Sequence, residues 1–263
     1  MGSRYKIMAD KIGISSACFY PLDTIESLRQ CVKGGFTSAE IFINTYSEMS
    51  GEYYKEMKAY IDGAGLEIVS IHPFTSGYEN VIFFTGYDRR IEDGIEFYKT
   101  YFDFAARLGA KFVVFHGNNM KTKFCGFEKY AEIFTRINEC AHTFGVELIH
   151  ENTTWCVARE AAGITELRRA CPDMKFVFDA KQSCRGRADP SPANGFVYRA
   201  AVICGRADPS PTNGFVYYTA ELYGRADPSP TSGFVYRAAV FRGSAQRSHT
   251  FLHIVYIILL TYF

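Results

Sequence analysis

The feature that most constrains this chain is a strict alternation that runs to about residue 180. Six short apolar runs, Lys11–Ser16, Ala39–Asn44, Leu66–His72, Lys111–His116, Val146–Glu151 and Lys175–Asp179, are rich in Ile, Val and Phe. Strands buried on both faces have this composition. Between the runs lie stretches of helical period. Asp23 stands where it caps a helix with Glu26 three residues on, and Ile25, Leu28 and Val32 form the apolar stripe. Ile91, Ile95, Tyr98, Phe102 and Leu108 make a second stripe, and Phe127, Tyr130, Phe134, Ile137, Ala141 and Phe144 a third. Gly65, Gly109 and Gly145 sit where helices stop before the next strand. The order is six β-then-α units without a helix after the sixth strand, which predicts a parallel sheet with helical crossovers. A length of 263 residues allows two domains or a single α/β barrel of about 250 residues.

After Asp179 the pattern changes. Gly186–Tyr198, Gly205–Tyr217 and Gly224–Tyr236 repeat one segment, GRADPSP-x-x-GFVY, with a period of 19 residues and 11 of 13 positions identical in all three copies. Asp-Pro-Ser-Pro and Asn-Gly are turn signals, and Gly-Phe-Val-Tyr reads as a short strand. Each unit is too short to bury much, and near-identical segments do not suit the different neighbours that each position of a closed barrel has. The division expected is a barrel-like part at 1–184, the irregular repeats at 185–243 and an apolar tail at 244–263.

Composition narrows the function classes. With 48% apolar and 22% charged residues the chain is not intrinsically disordered. The net charge of +1 gives no field for nucleic acid or an anionic membrane; residues 1–184 hold 21 basic and 24 acidic side chains, and residues 185–263 hold 8 and 4. The eight cysteines form no C-x-x-C pair and read as free thiols of a reducing compartment. The N-terminus carries no apolar signal run, and the apolar stretch Phe251–Phe263 is 13 residues long where a membrane span needs about 20. A cytoplasmic protein without membrane contact is expected. No P-loop, G-x-G-x-x-G or G-x-S-x-G occurs, against nucleotide binding and serine hydrolysis.

Four successive predicted strands each end in a side chain able to bind a metal or move a proton: His72, His116, Glu151 and Asp179. In a parallel barrel all strand ends share one rim, so these groups are expected to converge. Two imidazoles and two carboxylates suit a divalent ion of the Mn, Co, Zn or Mg type. A carboxylate buried alone at the end of an apolar strand costs several kcal/mol, so Glu151 and Asp179 call for a partner, water or metal. His150 precedes Glu151 and is expected to point to the helix side as a satisfied core residue. Asn118 is placed to meet substrate hydroxyls and Trp155 to form an apolar wall over a sugar; both also read as turn or packing residues.

The motifs Ser70–His72 (SIH), Phe115–Gly117 (FHG), His150–Asn152 (HEN) and Phe178–Gln182 (FDAKQ) resemble those of the sugar phosphate isomerase/epimerase family, with its xylose-isomerase-like TIM barrel, over about residues 11–184. The resemblance implies an α/β fold: an incomplete (β/α) TIM barrel of about six β/α units, followed by a non-homologous repeat tail. It also implies a 1,2- or C3-type proton shift on a ketose or related polyol, with Glu151 and Asp179 as metal ligands and Glu151 as the catalytic carboxylate. His72, His116, Asn118, Trp155, Lys181 and Gln182 would line the substrate pocket. A metal polarises carbonyl and hydroxyl oxygens while a carboxylate moves the proton. The family's further ligands, a His on the seventh strand and a Glu on the eighth, have no counterpart after Cys184, and Gln182 stands where many relatives have His. A truncated chain with a weakly held divalent ion is therefore expected, its partner a small sugar or sugar phosphate. The alternatives are a non-catalytic remnant and a metal-dependent phosphodiesterase acting on abasic DNA. The net −3 of residues 1–184 argues against the latter.

Overall fold

The computed structural model describes residues 13–120, 123–177 and 179. Six parallel strands lie in sequential order in one sheet: β1 (Ile14–Ser15), β2 (Ser38–Phe42), β3 (Glu67–His72), β4 (Phe112–Phe115), β5 (Glu147–Glu151) and β6 (Lys175–Val177). The helices are α1 (Thr24–Lys33), α2 (Gly51–Ala64), α3 (Glu79–Phe83), α4 (Asp88–Leu108), α5 (Phe127–His142) and α6 (Ala161–Ala170). This is the expected α/β architecture, a partial TIM-type barrel in which β1 and β6 are the sheet's two edges among the described residues. The repeats, the apolar tail, Lys181 and Gln182 lie outside the described residues.

Local chemistry fixes the elements. Asp23 caps α1, its carboxylate accepting from the Glu26 N–H at 3.0 Å. Gly65 and Gly109 close α2 and α4 in the left-handed region, at φ of 62° and 78°, where glycine carries no Cβ penalty. The strands are shorter than their apolar runs. β1 stops at Ser15 because that side chain accepts from the Ala17 N–H and starts a 3-10 turn, Ser16–Phe19.

The larger core lies between sheet and helices. Ile41, Ile71, Val113, Phe115 and Leu148 meet Leu28, Tyr98, Phe102, Tyr130, Phe134 and Ile137 there, all buried. On the sheet's other face Phe112, Val114, Ile149 and Val177 form a second buried cluster with Val69 against it. Successive strand residues alternate faces, so the residues that follow Val114, Ile149 and Val177 by two, namely His116, Glu151 and Asp179, continue this inner face. The β1–β3 side of the inner face is polar: the buried Glu40 accepts from the Ser70 hydroxyl at 2.9 Å. The six described cysteines are all free thiols, and no helix among the described residues is long and apolar enough to cross a membrane.

Candidate metal centre

Because β3, β4 and β5 are neighbours in parallel register, their carboxyl ends bring His72, His116 and Glu151 side by side. The Nε2 atoms of His72 and His116 are 3.1 Å apart. Glu151 Oε2 lies 2.7 Å from His116 Nε2 and 3.5 Å from His72 Nε2. His116 and Glu151 are buried and His72 is nearly so. Phe42 packs against the His72 ring, with ring centres 5.2 Å apart, and the His72 Nδ1 meets the Pro73 carbonyl at 3.3 Å.

The three groups set each other's charge. Burial alone would raise the Glu151 carboxyl, but the flanking imidazoles of His116 and His72 hold it well below the usual carboxylate range. Burial works to lower His72; the Glu151 carboxylate and the charge of Glu40 outweigh it and lift that imidazole to about 9. His116 is lowered by burial and by His72, against the pull of Glu151. Glu40, raised by burial, faces both His72 and Glu151 electrostatically.

The donor set fits a divalent ion. Nitrogen and oxygen ligands at about 2.0–2.2 Å around a tetrahedral ion lie about 3.3 Å from one another, and the three separations here, 2.7, 3.1 and 3.5 Å, bracket that value. Two imidazoles with one carboxylate favour Zn or Co over Mg. One detail opposes tight binding. His116 Nδ1 is buried with no hydrogen-bond partner among the described residues. Ligation at Nε2 moves the ring proton to that nitrogen at a cost of about 1–3 kcal/mol.

Asp179 is not part of this trio: among the described residues, His72, His116 and Glu151 are the only group of three or more whose metal-type donor atoms all lie within 4.8 Å of one another. The Asp179 backbone is locked to Asn152, whose side chain accepts from its N–H at 2.6 Å and donates to its carbonyl at 3.0 Å. Trp155 sits edge-on over His116, ring centres 5.6 Å apart, and is part exposed at the mouth. Its carbonyl accepts from the Met120 N–H at 2.8 Å, and the Asn118 carbonyl accepts from the Val157 N–H at 3.2 Å. These bonds zip the loops after β4 and β5 together, and Asn118 is fully buried.

His150 takes the helix side, as its strand parity predicts. It packs among Phe115, Tyr130, Phe134 and Phe176, its Nε2 bonded to the Tyr130 hydroxyl and its Nδ1 to the Glu151 carbonyl at 3.0 Å. An Nδ1–H tautomer satisfies both contacts, and burial pushes the imidazole down to about 3. Two buried carboxylates at the site are missing from the sequence reading. Glu40 is hidden inside an apolar run, and Glu79 resembles an ordinary first-turn acid of a surface helix.

A partial parallel barrel with a histidine–carboxylate trio at its strand ends defines an α/β-barrel protein with a candidate metal site. The sequence profile of the xylose isomerase-like TIM barrel matches residues 28–201, and the chain belongs to that family. The match runs past Cys184 into the first repeat. No curated protein matches the sequence. Among solved structures, a D-tagatose 3-epimerase-like protein superposes with a TM-score of 0.53 at 17% identity, over 65% of this chain and 65% of that one. The probable 3-DHS dehydratase AsbF of Bacillus anthracis gives 0.57 at 15%, over 68% and 66%. L-ribulose 3-epimerase gives 0.51 at 15%, over 64% and 59%. At such identities the likeness is one of fold. This chain spans less than two thirds of the length of either epimerase-type structure.

Proposed function

We propose that this chain is a metal-dependent sugar isomerase or epimerase that shifts a proton on a ketose or polyol, phosphorylated or free. The observation that carries the reading is the convergence of His72 Nε2, His116 Nε2 and Glu151 Oε2 at the carboxyl end of the sheet. His72, His116 and Glu151 would hold the ion, with Asp179 the additional carboxylate at the next strand end. When bound, the ion supplies Lewis acidity to adjacent carbonyl and hydroxyl oxygens.

The chain's own groups supply the rest. Glu151 presents Oε2 to both imidazoles, which leaves Oε1 as the oxygen that takes a proton from the substrate carbon. The exposed edge of Trp155 supplies an apolar face beside His116 for the carbon side of the sugar. Lys181 and Gln182, which follow Asp179 in sequence, are assigned to the substrate's polar groups, and the buried Asn118 to shaping that wall. The setting is a water-soluble protein of the cytoplasm.

The test is incubation of the metal-supplemented protein with common ketoses and their phosphates in D2O. Deuterium appearing at the epimerising carbon, and its loss in Glu151→Gln, support the reading. No exchange with Mn²⁺, Co²⁺ or Zn²⁺ present rejects it in favour of a non-catalytic chain. Cleavage of an abasic duplex in place of sugar exchange would assign the site to phosphodiester hydrolysis.

A further inference from the structure

Glu79 opens the short helix α3 and has no exposed surface. Its carboxylate does not cap its own helix. One oxygen, Oε2, accepts from the backbone N–H of His116 at 2.7 Å and of Gly117 at 2.5 Å, and Oε1 accepts from the Tyr98 hydroxyl at 2.8 Å. A buried carboxyl group is costly unless its hydrogen bonds are filled, and here two of the three partners are the amides of His116 and Gly117, directly after β4. Glu79 belongs to the connection that leaves β3 directly after His72 and Pro73. One side chain therefore ties the segment carrying the first imidazole to the backbone of the second.

The other side of that backbone is closed as well. Gly117 has φ of +79°, and a Cβ there would lie 1.6 Å from the Tyr130 hydroxyl oxygen. The His116–Gly117 peptide is held between Glu79 and the Tyr130–His150 pair, with no room to slide.

We infer that Glu79 is a positioning residue for the imidazole pair: it fixes the His116 backbone against the connection that carries His72, and so sets the Nε2–Nε2 separation that one divalent ion requires. The inference rests on the metal reading above. Partners that orient metal ligands from outside the coordination sphere are worth about 10–100-fold in affinity. The part played is geometric, so glutamine suffices: its carbonyl oxygen serves the two amides, and its NH2 donates to the Tyr98 oxygen. Aspartate is one methylene too short to reach.

The experiment uses the full chain as wild type, Glu79→Gln, Glu79→Asp, Glu79→Ala and Tyr98→Phe, titrated with Co²⁺ alone and followed by its visible absorption. The expected result is affinity lowered 10–100-fold in the Ala and Asp variants, within threefold of wild type in Gln, and within threefold in Tyr98→Phe despite a lower melting temperature. Wild-type affinity in Glu79→Ala, or an equal loss in Gln and Asp, overturns the inference. Should Glu79→Ala not fold, the Asp and Gln pair decides by the same criterion.

A wild-type chain that binds no Co²⁺ defeats the metal reading, and a second measurement then reads Glu79 alone. The ring-proton NMR signal between His116 and Glu151 in the metal-free protein is expected to vanish in Glu79→Asp and persist in Glu79→Gln. Its persistence in both overturns the inference.

Discussion

Replacing Gly117 by alanine tests the packing beneath the candidate centre. The residue has φ of +79°, and the added methyl would lie 1.6 Å from the Tyr130 oxygen, 2.7 Å from the ring carbon that bears it and 3.1 Å from His150 Nε2. Three costs follow: about 1–2 kcal/mol for a left-handed alanine, about 1–3 kcal/mol for overpacking, and about 1–3 kcal/mol when Tyr130 moves off His150. The expected loss is about 3–8 kcal/mol, comparable to the whole stability of many domains. Tyr130→Phe alone forfeits only the hydrogen bond, about 1–3 kcal/mol. In the double variant that bond is lost once and the oxygen clash is gone, so the two changes should fall short of additivity by at least about 1–3 kcal/mol. Urea unfolding of the four proteins, compared at a common slope, gives the answer. A loss below about 1 kcal/mol for Gly117→Ala, or strict additivity, would show that Gly117 is not packed against Tyr130 in this way.

Other expectations follow from the same geometry. His116→Ala and Glu151→Gln should each weaken Co²⁺ binding at least tenfold in a calorimetric titration, because each removes one of three donors; undiminished binding would place the ion elsewhere. Between pH 4.5 and 6.5 two buried groups act on stability with opposite signs. His150, lowered to about 3 from 6.5, takes up its proton in the unfolded chain first, so its contribution is full above pH 6.5 and is lost as pH falls toward 3. Burial raises Glu79 to about 8 from 4.5, against the Gly117 and His116 amides and the Tyr98 hydroxyl, so its contribution is full below pH 4.5 and is lost as pH rises through 8. Relative to wild type, His150→Asn should make stability fall more steeply with rising pH in that window and Glu79→Gln less steeply, each by up to about 1.4 kcal/mol per pH unit. Equal slopes by denaturant titration would contradict both assignments. Gly94→Ala in α4 should cost about 1–3 kcal/mol, since the methyl would sit 2.4 Å from Ile82 and 2.7 Å from Phe83; a neutral thermal melt would contradict it.

The sheet was legible because its signal is local. Each strand is an apolar run, and helices between them carry stripes, α2 and α4 stopping at glycines whose conformation only glycine takes freely. Strand parity also placed His150 with the helices and sent Glu151 inward. Pairwise chemistry between strands was less legible. The strand ends led to the expectation that His72, His116, Glu151 and Asp179 converge, and the family resemblance made Glu151 and Asp179 the ligands and the two histidines pocket walls; the fold brings both imidazoles onto the Glu151 carboxylate. Glu40 and Glu79 escaped for a related reason: their partners, Ser70 on β3 and the His116–Gly117 amides at the end of β4, are distant in sequence. Nothing local distinguishes such a buried acid from a solvated one.

On the proposed reading, the ends of β3, β4 and β5 assemble one divalent-ion site. X-ray absorption at the zinc edge, on the full chain loaded with one equivalent of Zn²⁺, counts imidazoles in the inner shell directly. Two histidine nitrogens and at least one carboxylate oxygen at about 2.0–2.2 Å are expected, falling to one nitrogen in His116→Ala. A shell without histidine, or one that keeps two nitrogens in that variant, would contradict that reading.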